Sequence, residues 1–161
     1  MTVSNLTKLA ILLALTLAFQ MLGLPQPFTG PAVNAMLILS TLIMGPFGAA
    51  LIGMLTPVIA FLRGILAPPL GPAIPFIVLG NWAYIFTFAG LRKVNQYLAL
   101  VVAAVLKLLV LAGAVRFLLS VPPPVAKALQ FPQLITALVG GLVALLVWAG
   151  LEKTGMINRE G

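Results

Sequence analysis

The chain has 161 residues, 62% of them hydrophobic and 7% charged, with a mean hydropathy of +1.21; a soluble domain is about 45–50% apolar and roughly 25% charged. Such a chain is an integral membrane protein, which excludes a soluble enzyme, a disordered tail and a nucleic-acid module. Nine Lys and Arg give a net charge of +7, but they are spread over helix ends, as in loops that face anionic lipid, and form no basic patch.

Six stretches predict membrane helices, each read against the ~20 apolar residues needed to cross a core about 30 Å thick. The first covers residues 7–23. Its apolar run is long for a signal peptide and no small-x-small cleavage site follows, so it is expected to be retained. Residues 24–30 hold Pro25, Pro27 and Gly30 and read as a loop. Pro31 is expected to open a second helix, 31–44, at its first position; at 1.5 Å per residue that helix spans only roughly 21 Å. Gly45-Pro46 predicts a tight turn into a third helix, 46–66, which Pro57 should kink. The proline-rich residues 67–75 exclude regular helix. A fourth helix, 75–91, closes on Arg92-Lys93. Asn95 can cap a fifth, 96–119, which Pro122, Pro123 and Pro124 stop. A loop leads to Pro132 and a sixth helix, 132–151, followed by a polar tail.

The expected fold is therefore an all-α integral membrane protein, a single domain over 1–161 built as a compact bundle of six transmembrane helices. Lys8, Arg92, Lys93, Lys153 and Arg159 collect on one side, which by the positive-inside rule places both termini in the cytoplasm. Lys127, Arg63 and Arg116 fall on the other side. No internal repeat is visible, which argues against an inverted-repeat transporter.

The residue inventory limits the chemistry. There is no Cys and no His, and the acids are two, Glu152 and Glu160, both at the C-terminal end. Acid–base catalysis and metal binding lean on those residue types. No Gly-rich loop ends in Lys-Ser or Lys-Thr, so ATP is not bound by a P-loop. The chain is not expected to be an enzyme, nor to hold a cofactor or a metal.

With both termini inside, the polar side chains gather toward the outer ends of the helices. Gln20 ends the first helix and Asn34 begins the second. Arg63 lies near the end of the third, and Asn81 lies two turns into the fourth beside Trp82 and Tyr84. Arg116 nears the end of the fifth, and Gln133 and Thr136 begin the sixth. The inner half offers little beyond Ser40, Thr41 and Thr87. Polar groups in hydrocarbon usually face a bundle interior or a watery cavity, so the pattern predicts a pocket for a small polar ligand. Ordinary interfacial polarity is the better explanation of any one of these residues taken alone; the asymmetry between the two halves tips slightly toward the pocket.

Lys107 falls at the centre of the fifth helix, too deep to reach the headgroups by snorkelling. With no carboxylate in the membrane, its counter-charge is a ligand anion, backbone carbonyls or water. Lys107 and Arg116, nine residues apart, lie on nearly opposite faces of a helix. Trp82 and Tyr84 either wall a pocket or pack the core. Ala10, Ala14 and Ala18 form a small-xxx-small stripe on the first helix. Gly45, Ala49 and Gly53 on the third, and Ala137 and Gly141 on the sixth, form others. Internal packing is the default explanation of all three.

The stretch from Thr29 to Ser40, reading Thr-Gly-Pro-Ala-Val-Asn-Ala-Met-Leu-Ile-Leu-Ser, is followed by Met44-Gly-Pro-Phe-Gly-Ala-Ala-Leu-Ile-Gly53. Together with the chain length, the six short helices and the alanine stripe, it resembles the substrate-binding S components of energy-coupling factor (ECF) transporters, the vitamin-uptake family of bacterial and archaeal membranes. The resemblance implies a small-molecule substrate bound near the outer face, and partners in a transmembrane coupling subunit and two ABC ATPase subunits. It assigns docking on the coupling subunit to Ala10, Ala14 and Ala18. It draws the pocket from Phe28, Thr29, Asn34, Arg63, Asn81, Trp82, Lys107, Arg116, Gln133 and Thr136, to which the depth of Tyr84 beside Trp82 adds a further candidate wall. The chain departs from nickel and cobalt members in lacking an N-terminal His, and it has no membrane carboxylate for a thiamine cation. A neutral or anionic micronutrient fits instead, and a carboxylate vitamin such as pantothenate, biotin or a folate-like molecule suits the charge, with no pattern that chooses among them. Two rival readings stand beside this one: a structural or assembly membrane protein without a ligand, and a self-sufficient secondary carrier.

Overall fold

The computed structural model describes residues 3–155, so Arg159 and Glu160 lie outside the described residues. Among these the chain is helical throughout, without strands. The helices are α1 (Val3–Met21), α2 (Gln26–Met44), α3 (Pro46–Leu62), α4 (Ile74–Leu91), α5 (Gln96–Phe117), the short α6 (Pro123–Ala128) and α7 (Phe131–Lys153), with a 3₁₀ helix over Pro68–Ala73. Five helical stretches are long and apolar enough to cross a membrane. One of them is the 37-residue run Gln26–Leu62 formed by α2 and α3 together. Large apolar side chains such as Leu15, Phe19, Leu79, Leu109 and Leu146 are exposed on the outside of the bundle. In water such a surface would aggregate; in lipid it is the expected exterior.

Gly45 divides α2 from α3. Its φ of 83° and ψ of 172° suit a residue without a Cβ, and Pro46 then sits in the first turn of α3, where its missing N–H has no helical partner to lose. The two helices fold back on one another: a Cβ added to Gly53, eight residues after Gly45, would stand 3.6 Å from Leu37, eight residues before it.

Several boundaries differ from the sequence expectation. α2 begins at Gln26, not Pro31, and its 19 residues span roughly 28 Å, not 21. Pro27 falls in the first turn, where N–H groups are unpaired in any helix. The interior Pro31 withdraws one donor and leaves the helix continuous. The Thr29 hydroxyl donates 2.7 Å to the Leu24 carbonyl, tying down the entry strand. Of the segment 67–75, expected to be irregular, Pro68–Ala73 wind as a 3₁₀ helix and Ile74 and Pro75 open α4, and the loop before α7 contains the six-residue α6. Asn95 caps α5 as its position suggests, accepting from the Tyr97 and Leu98 N–H groups at 2.9 and 3.0 Å.

α2 is the central helix. It packs on α7, α3, α1 and α4, while α4 packs along α5. α1 is peripheral, with Leu12 and Thr16 its buried residues. The apolar core joins Leu37 and Ile38 of α2, Ile52 of α3, Tyr84, Ile85 and Phe88 of α4, and the small residues Ala99, Ala103, Ala137 and Ala144 of α5 and α7. Small residues let backbones approach, the main source of helix adhesion in lipid. Backbone approaches backbone closely at Gly140, where an added Cβ would strike the Pro31 carbonyl and stand 2.9 Å from the Ala35 nitrogen.

Candidate functional site

Ala99, Ala103, Lys107 and Leu111 recur every four residues and form the inward seam of α5. Lys107 therefore enters the bundle interior and is 3% exposed. Its stem passes α4 at Gly80, where an added Cβ would stand 3.5 Å from Lys107 Cγ. The ammonium donates to Asn34 Oδ1 at 2.6 Å and to Asn81 Oδ1 at 2.9 Å. Nζ also lies 5.4 Å from the centre of the Tyr84 ring, within cation–π range. A buried cation is tolerated only when paired or hydrogen-bonded, and here neutral dipoles from α2 and α4 supply the bonds.

Both amides are oriented before they meet the lysine. Asn34 Nδ2 donates to the Gly30 carbonyl at 2.9 Å and to Thr136 Oγ1 at 3.4 Å. The Thr136 hydroxyl in turn donates to the Gln133 carbonyl at 3.1 Å. Asn81 Nδ2 donates to the Gly53 carbonyl at 2.9 Å. That carbonyl is four residues before Pro57, so Pro57 deprives it of its helical N–H partner. The interior proline thus exposes an acceptor that fixes Asn81, and Asn81 in turn presents its oxygen to Lys107.

Lys107, Asn34 and Asn81 line a cleft of about 100 Å³. Its walls come from the end of α1 (Gln20), the start of α2 (Gln26, Thr29), the second half of α3 (Thr56, Pro57) and the start of α7 (Gln133). Leu66, after α3, and Ile77, near the start of α4, add apolar surface. All of these lie at one end of the bundle, and Lys107 reaches that end from mid-helix. Gln20 Oε1 is buried there without a hydrogen-bond partner. Small-molecule sites usually enclose about 300–1,000 Å³, so a vitamin-sized ligand needs the surrounding loops to move apart.

No protein-family model, curated protein or solved structure matches this chain. The site is therefore read from its own geometry.

Of the residues singled out in the sequence, Thr29, Asn34, Asn81, Lys107 and Gln133 line the cleft, and Thr136 stands behind Asn34. Tyr84 is fully buried beside Lys107, its hydroxyl donating 2.7 Å to the Ala137 carbonyl. Trp82 donates 2.9 Å to the Ala50 carbonyl and ties α4 to α3. Neither aromatic lines the cleft. Phe28 is 65% exposed. Arg116 is exposed, on the opposite side of α5 from Lys107 as their half-turn offset requires. Arg63 is exposed in an open surface depression with Met21, Leu62 and Ile65. Gln26, Thr56 and Pro57 join the cleft without having been singled out as site residues. The sequence signal for Thr56 is its place beside the helix-interrupting Pro57; Gln26, inside the stretch expected to be loop, carries none, because the start of α2 there emerges only with the fold.

The alanine stripes divide. Ala49 and Gly53 on α3, and Ala137 and Gly141 on α7, are buried packing surfaces. Ala10, Ala14 and Ala18 are exposed, on the face of α1 opposite Leu12 and Thr16.

Proposed function

We propose that this chain is the solute-binding subunit of an ECF-type transporter in a bacterial or archaeal cell membrane. In this reading it crosses the membrane six times with both termini in the cytoplasm. It binds a small water-soluble micronutrient, neutral or anionic, in the cleft at the outer end of the bundle. A transmembrane coupling subunit bearing two ABC ATPases drives delivery to the cytoplasm.

The observation that carries the reading is a buried lysine at the foot of a cleft, held by two pre-oriented amides in a bundle interior that holds no acid among the described residues. Amides and a cation converging from α2, α4 and α5 are expensive in lipid and mark binding sites there. Gln20 Oε1 adds an unused acceptor in the cleft wall, suited to an N–H or O–H of a ligand. The outward alanine face of α1 supports docking, because small residues let another membrane helix lie close.

One observation favours the structural alternative. Asn34, Asn81 and the Tyr84 ring already serve the Lys107 ammonium, as in a lysine that only locks helices together. Reconstitution separates the readings. Uptake into liposomes of a vitamin that co-purifies with the chain should need the coupling subunit, both ATPases and ATP. Ala14→Leu should leave binding unchanged and block that uptake. Uptake by the chain alone would make it a secondary carrier, and a chain that co-purifies with no small molecule and takes up none would favour the structural alternative.

A further inference from the structure

Among the described residues no acid balances the charge on Lys107. Of the two acids in the sequence, Glu152 lies in the last turn of α7, sixteen residues and roughly 24 Å along the helix from Thr136, where it accepts from Trp148 Nε1 at 2.9 Å. Glu160 lies outside the described residues. Around the ammonium the chain supplies dipoles only: two amide oxygens and an aromatic face. Dipoles reduce the penalty of removing a cation from water, but an opposite charge offsets it far more fully at low dielectric.

The donor count leads the same way. An ammonium has three N–H donors; Asn34 and Asn81 accept two, and for the third the chain offers only the face of the Tyr84 ring, its centre 5.4 Å from Nζ. Lys107 itself lines the cleft, beside uncharged Gln20, Gln26, Thr29 and Gln133. A cation would meet like charge there, and a neutral solute would leave the lysine uncompensated. A dianion would exceed the single positive charge. The amide and hydroxyl walls suit an anion whose oxygens take directional hydrogen bonds.

We infer that the cleft selects a monoanion, and that a ligand carboxylate accepts the third N–H of Lys107 while Asn34 and Asn81 hold the ammonium in place. This rests on reading the cleft as a binding site and narrows its ligands to carboxylates.

Acetate and acetamide test it, because they have nearly the same shape, differ in charge and are small enough for a cleft of about 100 Å³. The thermal midpoint of the full chain in neutral detergent is measured against sodium acetate, sodium chloride at equal ionic strength, and acetamide. Acetate should raise it with an apparent affinity about tenfold above that of acetamide, and chloride should not. Equal shifts from acetate and acetamide, or from acetate and chloride, overturn the inference. Lys107→Met should abolish the acetate response. Should that variant fail to fold, Asn81→Asp serves instead: it sets a carboxylate beside Lys107, and the acetate response should disappear from a folded chain. A full response in Asn81→Asp overturns the inference. A neutral vitamin that stabilises the chain where acetate does not would remove the anion site and leave the binding reading standing. Acetate stabilisation without response to any vitamin would keep the anion site and remove the uptake reading.

Discussion

The buried hydroxyls and the buried amide–lysine cluster treat polarity differently. Thr41 in the far half of α2, Thr16 of α1 and Thr56 in the cleft wall donate to the carbonyls four residues back in their own helices, Leu37, Leu12 and Ile52, at 2.8, 2.7 and 2.6 Å. Those hydroxyls are satisfied locally and bind nothing else together. At the cleft end, Asn34, Asn81 and Lys107 satisfy one another across α2, α4 and α5, and reach further to α3 and α7. A buried hydroxyl is ordinary in a membrane helix. A buried cation and two amides that need three helices to complete them are specific to one arrangement, and that arrangement borders a cleft.

The contrast can be broken by substitutions. The largest effect is expected at Gly140. An added Cβ meets backbone of α2, not a movable side chain, so Gly140→Ala should force α2 and α7 apart and destabilise by about 1–3 kcal/mol. A thermal midpoint equal to the wild type would show that this contact does not hold the cleft end together. Next, Lys107→Ala should weaken binding of an anionic ligand by more than about tenfold, ~1.4 kcal/mol, in equilibrium titrations of the folded chain. Unchanged affinity would assign Lys107 to structure. Pro57→Ala should restore an N–H to the Gly53 carbonyl, compete with Asn81 and loosen its amide. The expected result is a higher thermal midpoint together with ligand affinity lower by about threefold, ~0.6 kcal/mol. Affinity that is unchanged or higher would remove Pro57 from the site. The smallest effect belongs to the far half: Thr41→Val should change stability by less than about 1 kcal/mol and leave affinity unaltered. A loss of binding there would erase the distinction between hydroxyls and cluster.

Much of the helical framework was legible in the sequence because its signals are local. Gly45-Pro46 marks a turn through a positive φ, and Asn95 marks a cap through its side-chain oxygen. Lys107 and Arg116 were separable by helical geometry alone. Pro31 taken alone as a first position sets the start of α2 five residues late, whereas a helix that already has Pro27 in its first turn continues through Pro31. The partners of Lys107 were not legible. Asn34 and Asn81 were both noticed, yet the counter-group was sought among ligands, carbonyls and water. Which faces of α2, α4 and α5 meet is a matter of packing, and in lipid the outer face is as apolar as the inner one, so periodicity says little. The relation of Pro57 to Asn81 through the Gly53 carbonyl was hidden for the same reason: it joins residues 28 apart in sequence. Arg63 and Phe28 were grouped with the pocket by their place along the chain, and the side each presents, outward in both cases, emerged only with the fold.

The most direct test of a solute site at the amide-and-lysine end is the unfolding temperature of the purified chain across a panel of water-soluble vitamins and related metabolites, run in parallel with Lys107→Ala. At least one compound should raise the wild-type midpoint by several degrees and leave the variant unmoved. A flat response from the wild type across the whole panel would contradict the account.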